Sequence, residues 1–222
     1  MGVPQRVWRG ATRRYAESGG GLDVALVLDA TASMGTHLRA LRRGLDAVLE
    51  AAPSASVRWG VVAYKDHDDP DYATRTLPFT ANPRRVRGFL DDAALALGRG
   101  GSGGEALECA LRRLNRLRWR PGAAKMALLV GDRPPASVLG PGATCARGVD
   151  YRDEVELLAA GGVRVHAAPV GSCLTASRVL EYVAARTGGQ LLPRAHVREL
   201  AATLGGAVRA EAQRAALSST ER

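Results

Sequence analysis

The chain has 222 residues, 46% of them apolar, with few aromatics and a formal net charge of +9. That length suits one large α/β domain with short extensions, and no apolar run nears the roughly 20 residues a bilayer-spanning helix needs. The positive charge is almost all arginine, with Lys65 and Lys125 the only lysines, and it is scattered without interleaved aromatics, which argues against a nucleic-acid surface.

Residues 1–20 read as a basic arm ending in Ser18-Gly19-Gly20-Gly21. The arm lacks the apolar stretch of a secretory signal, and Arg6 stands where an N-myristoylation signal wants Ser or Thr, so the expectation is a cytoplasmic protein. Residues 21–214 then alternate strand and helix patterns, with a tail at 215–222. Leu22 to Leu28 is apolar on both faces, as a central strand covered by helices is. Leu38, Leu41, Leu45, Val48 and Leu49 recur at helical spacing over 35–52. Val57 to Tyr64 is a second strand, 66–71 an acidic turn, and 75–80 a short edge strand that tolerates Pro78.

Asn82-Pro83 opens a helix reaching about Leu97, with proline in its first turn. A glycine-rich loop over 98–104 leads to a helix predicted over 105–117. Met126 to Val130 is a buried strand, 151–160 a helix, 163–170 a strand, and 176–186 a helix. A short strand over 190–192 and a last helix over 197–214 follow, the latter weakened by Gly205-Gly206. The order implies an α/β, three-layer, mostly parallel open sheet with one antiparallel edge strand, and such sheets bind ligands at the carboxyl ends of their strands.

Three stretches carry oxygen ligands near those ends. Asp29-Ala30-Thr31-Ala32-Ser33 follows the first strand and sets three oxygen-bearing side chains at alternate positions, part of the shell a hard cation takes. Thr31 and Ser33 read equally well as N-caps of the helix behind them. Asp132 lies just beyond Val130, beside the end of the Asp29 strand if the sheet is open. It reads otherwise as a turn former. Ser102 and Glu105 bring a hydroxyl and a carboxylate on the glycine-rich loop, although Glu105 alone would complement a helix dipole.

In combination these motifs resemble the von Willebrand factor A (vWA) family. D-A-T-A-S-M at 29–34 is similar to the D-x-S-x-S signature of its metal-ion-dependent adhesion site, closest to the D-x-T-G-S-M form of vWA domains attached to alpha-kinases and of related bacterial proteins. V-A-Y-K-D-H at 62–67, G-G-S-G-G-E-A at 100–106 and L-L-V-G-D-R-P-P at 128–135 resemble that subgroup's A-Y-R-D-H, G-G-D-x-P-E-A and T-D-A-P-P. The resemblance implies a Rossmann-like fold and a Mg²⁺ or Mn²⁺ ion touched by Thr31 and Ser33 and held by Asp29 and Asp132. Ser102 stands where Asp is usual and Gly104 where Pro is usual, so the loop ligand is Ser102 or Glu105. The implied function is non-enzymatic: gripping a partner protein's Asp or Glu within a bacterial multi-protein system that works beside an ATPase or protease.

Two other functions fit parts of the chain. One is a metal-free vWA scaffold that binds by its surface. The other is a haloacid dehalogenase-like phosphoryl-transfer enzyme, but 133–140 lacks the further acid that class needs, and Ala30 stands where its motif has lysine. His67 among Asp66, Asp68, Asp69 and Asp71 reads as a solvated turn rather than a second metal site. His37, His166 and His196 read as surface or packing residues. Cys109, Cys145 and Cys173 have no metal-ligand spacing; Cys109 falls on an apolar helix face, and a Cys145–Cys173 bridge stays open.

Overall fold

The computed structural model describes residues 21–51, 57–98, 105–139, 145, 147–194 and 199–218. The predicted arm, Ser102 and His196 lie outside these residues. The elements in chain order are β1 (Leu22–Asp29), α1 (Gly35–Leu49), β2 (Val57–Tyr64), β3 (Thr74–Thr80), α2 (Pro83–Leu95), α3 (Leu107–Asn115), β4 (Ala124–Gly131), α4 (Tyr151–Ala160), β5 (Val163–Pro169), α5 (Leu174–Arg186) and α6 (Leu200–Ser218). The sheet runs β3-β2-β1-β4-β5, parallel except for β3, which pairs antiparallel with β2 at the edge.

Alternation along β1 explains the three layers. Val24, Leu26 and Leu28 join the core formed with α1, α2 and α6, while Ala25 and Val27 join the one formed with α3, α4 and α5. A strand buried on both faces must be apolar along its middle, and β1 is from Val24 to Leu28. Asp23 and Asp29, at its two ends, share the parity of Ala25 and Val27 and point toward the α3 side.

Asp23 is fully buried and saturated. Arg58 donates to it from Nε and Nη2 at 3.0 and 2.7 Å, and Arg120 from its backbone N and Nε at 2.8 and 2.9 Å. Burial pushes its carboxyl up, but the hydrogen bonds from Arg58 and Arg120 outweigh that and hold it below the usual range. Asp23→Ala is expected to cost about 3 kcal/mol, the low end for breaking a buried pair because both arginines can rehydrate. A urea unfolding midpoint checks this; a wild-type midpoint in the variant would contradict it.

Three local readings change. The Gly205-Gly206 pair does not weaken the last helix, which continues unbroken to Ser218. A side chain on Gly44 of α1 would collide with Ala201 of α6, and one on Gly205 would sit 3.2 Å from the Ala47 carbonyl oxygen. The glycines let two helices approach closely, and that packing outweighs a propensity loss of about 1 kcal/mol each. The segment 190–192 forms only a bridge, Leu191 to Ala167, rather than a strand. The helix expected from Glu105 starts at Leu107, because Glu105 is held in extended pairing (below).

Candidate metal centre

The order β3-β2-β1-β4-β5 reverses direction between β1 and β4, so the crevice at their carboxyl ends is where an open parallel sheet receives a ligand. Register pairs Asp29 with Tyr64 and Leu28 with Val130, which brings Asp132 to the level just beyond Asp29. The loop carboxylate arrives by a different route. Glu105 bridges Asp66 on one side and Pro135 on the other, as a single extended residue inserted between the β2 and β4 ends. Backbone bonds fix it there: Ala106 N donates to Lys65 O at 2.9 Å and Ala136 N to Glu105 O at 3.3 Å. The V-A-Y-K-D-H segment is thus a seat for Glu105. Buried Lys65 braces it by bonding Asp69 and Asp71 at 3.2 and 3.0 Å beneath the Tyr72 ring.

One carboxylate oxygen each from Asp29, Glu105 and Asp132 lies within 4.8 Å of the other two. Asp29 Oδ1 accepts from the Thr31 backbone N at 2.9 Å and from its hydroxyl at 2.6 Å. Thr31 Oγ1 in turn lies 3.1 Å from Ser33 Oγ and 3.3 Å from Glu105 Oε1. Neither Thr31 nor Met34 caps its helix with a side chain, so capping does not account for the hydroxyls. They face the carboxylates instead. Glu105 is fully buried against Asp29 and is not an exposed complement to a helix dipole. Ser33 is exposed and marks the open side.

The electrostatics are those of a site missing a positive charge. Asp29 Oδ2, Glu105 Oε2 and Asp132 Oδ1 are buried with no hydrogen-bond partner. Burial raises the Asp29 carboxyl despite the hydrogen bonds it accepts, and Asp132 adds to the rise. Burial raises Glu105 well above the carboxylate range, with Asp29, Asp132 and Asp66 adding to it. Buried like charges of this kind need protons or a cation, and an all-oxygen donor set suits a hard divalent ion. The residues present therefore fit the implied metal.

Sequence reasoning missed two contributors. The Tyr64 hydroxyl is buried and unpartnered beneath the carboxylates, whose charges push its already burial-raised pKa higher. A Cβ on Gly131 would come within 2.5 Å of that hydroxyl, so Gly131→Ala should displace Tyr64, destabilising the protein by about 1–3 kcal/mol. Thermal unfolding in chelator reads that cost, and a variant of unchanged stability would refute the packing argument. His37, on the first turn of α1, is the other: burial lowers its pKa and Asp132's charge offsets part of the drop. Beyond Asp132 an open cleft of about 470 Å³ is lined by residues that include Arg133, Leu139, Ser172 and Thr175.

No protein-family model matches the sequence, and no curated protein matches it. Solved structures do. The pilus adhesin SpaC from Lactobacillus rhamnosus GG, in its open conformation, superposes with a TM-score of 0.64 at 14% identity, over 87% of this chain and 30% of that one. Proximal thread matrix protein 1 from the mussel byssus, with a zinc-occupied MIDAS motif, superposes with a TM-score of 0.62 at 16% identity, over 85% of this chain and 47% of that one. The fold is von Willebrand factor A-like. The vWA-like chain spans about a third to a half of these neighbours, and at such identities the likeness establishes architecture alone.

Proposed function

We propose that this vWA-like domain is a metal-dependent protein-interaction module whose ion, Mg²⁺ or Mn²⁺, sits among Asp29, Thr31, Ser33, Glu105 and Asp132. The observation that carries the reading is the convergence of three carboxylates from separate segments, each with one oxygen buried and unpaired. Thr31 offers a buried neutral oxygen and Ser33 an exposed one on the solvent side. Asp29 is oriented by the Thr31 amide and hydroxyl, and Glu105 by its pairing with Asp66 and Pro135. A bound ion would supply a positive centre with an oxygen position open for a partner's Asp or Glu.

Exposed Arg133 and the net charge of +9 favour the approach of an acidic surface. The adjacent cleft gives such a partner a second contact. Glu105 is taken as the loop ligand on the strength of its seat between Asp66 and Pro135; the alternative, Ser102, lies outside the described residues. The motif resemblance extends the proposal to a cytoplasmic bacterial assembly in which the partner works with an ATPase or protease.

The test is capture of Glu-containing peptides on the immobilised full chain, with the same peptides carrying Gln as controls. Retention of Glu peptides in Mg²⁺ or Mn²⁺, lost in chelator and in Asp132→Ala, is the expected result. Equal retention with and without metal would leave the metal-free scaffold reading. Hydrolysis of a phosphomonoester in Mg²⁺ would replace the binding reading with an enzymatic one.

A further inference from the structure

One helical turn beyond Glu105, the start of α3 carries a second group of ligand-type side chains facing a different way. Glu108 and Cys109 point toward the turn after β2 and toward Cys145. His67, Cys109 and Cys145 each offer a ligand atom within 4.8 Å of the other two. The Cys109 and Cys145 sulfurs are 3.6 Å apart, and His67 Nε2 lies 3.5 Å from Glu108 Oε2. Ala73, Ala106 and Val149 enclose both cysteines in a small buried cluster of their own.

The sequence suggested neither grouping. The acidic turn is exposed at Asp68 and Asp71, but the His67 side chain turns inward from it, and Cys145 meets Cys109 rather than Cys173, whose sulfur accepts from Ala176 N at the start of α5. All three cysteines are free thiols.

We propose that His67, Cys109 and Cys145 form a second metal site, selective for a thiophilic divalent ion such as Zn²⁺, with Glu108 positioning the imidazole. Tetrahedral Zn²⁺ with Zn–S bonds of about 2.3 Å sets its sulfurs roughly 3.8 Å apart, close to the separation seen here. Glu108 Oε1 accepts from Ser137 N at 3.1 Å, while Oε2 is buried without a hydrogen bond, as is His67 Nε2. That free oxygen is placed to accept the ring N–H, the outer hydrogen bond that orients a metal-bound imidazole, leaving Nδ1 for the ion. Three protein ligands leave one position for water.

Binding replaces two S–H bonds with two metal–sulfur bonds and releases both protons to solvent, with no change of oxidation state. Burial and the neighbouring Cys145 thiol raise the Cys109 pKa, so a cation must displace the Cys109 proton to bind its sulfur. The all-oxygen centre at Asp29 and this mixed nitrogen–sulfur group sort ions by hardness.

Titration of the reduced full chain with Co²⁺, followed by optical absorption, tests the proposal. One equivalent should give thiolate-to-cobalt charge-transfer absorption and tetrahedral ligand-field bands, both abolished by Zn²⁺. Asp29→Ala should retain them, which separates this site from the adhesion-type centre. Cys145→Ser, outside any helix or strand, and Cys109→Ser should lose the charge-transfer intensity and bind more than about 100-fold more weakly, beyond the loss of an outer contact. Glu108→Gln should bind about 10–100-fold more weakly with the thiolate absorption kept.

Should Cys109→Ser fail to fold, Cys145→Ser decides, with circular dichroism confirming its fold. Absence of thiolate absorption in the reduced wild type, its persistence unchanged in Cys145→Ser, or closure of a Cys109–Cys145 disulfide in the presence of Zn²⁺ would overturn the proposal.

Discussion

Asp29→Asn should make the metal-free protein more stable while abolishing its response to Mg²⁺ or Mn²⁺. Asparagine keeps the oxygen that accepts from the Thr31 amide and hydroxyl, so local geometry survives. What disappears is the Asp29 charge, whose repulsion adds to burial in raising Glu105. Relief of that repulsion is worth about 1–3 kcal/mol at neutral pH, at 1.36 kcal/mol per unit of pKa. The wild type, by contrast, gains about 2.7 kcal/mol at a metal concentration 100 times the dissociation constant. For a domain of this size that raises the unfolding temperature by roughly 5–11 °C. Thermal melts in chelator and in metal read both halves. A variant less stable than wild type in chelator, or one still stabilised by metal, would mean that Asp29 is structural rather than a ligand.

The pH dependence of stability should be steep without metal and flat with it. The folded-state pKa values of Asp29 and Glu105 are raised, chiefly by burial. Their contribution is therefore fully present below the unfolded carboxylate range near pH 4 and is lost as pH climbs toward the folded values. Over pH 5 to 8 the metal-free fold holds at least one proton more than the unfolded chain, so stability should fall by about 1.4 kcal/mol per pH unit.

An ion replaces those protons. Saturating metal should flatten the decline, and binding should strengthen about tenfold per pH unit while protons are released. Asp23 behaves in reverse: its pKa is lowered, so its contribution holds above pH 4 and is lost in acid. Urea midpoints across pH at fixed ionic strength, together with the buffer dependence of the binding enthalpy, measure these effects. A flat metal-free profile between pH 5 and 8 would remove the electrostatic basis of the site.

How much of this was readable beforehand follows from which contacts are local. Both-face hydrophobicity in β1, the Asn82-Pro83 helix start and the Pro78 edge strand are short-range signals, and each element appears where its pattern put it. Asp29 and Asp132 were legible as a pair because parallel register carries consecutive strand ends to one level. The Glu105 insertion was harder, since its extended pairing depends on Asp66 and Pro135, distant in sequence and brought together only by the assembled sheet. The Cys109–Cys145 approach had no sequence spacing to announce it. Gly205-Gly206 looked like a weak point because propensity counts the lone helix and not the one against it.

β1 carries an aspartate near its start and another at its end, and the two have opposite fortunes. Asp23 is riveted by two guanidinium groups; Asp29 is left hungry among its own kind. The rivet secures the molecule where nothing needs to bind, so that the other extremity can stay frustrated without the whole coming apart. The recognition proposed for the Asp29 end would thus be secured from afar, by an anchor at the other end of the strand.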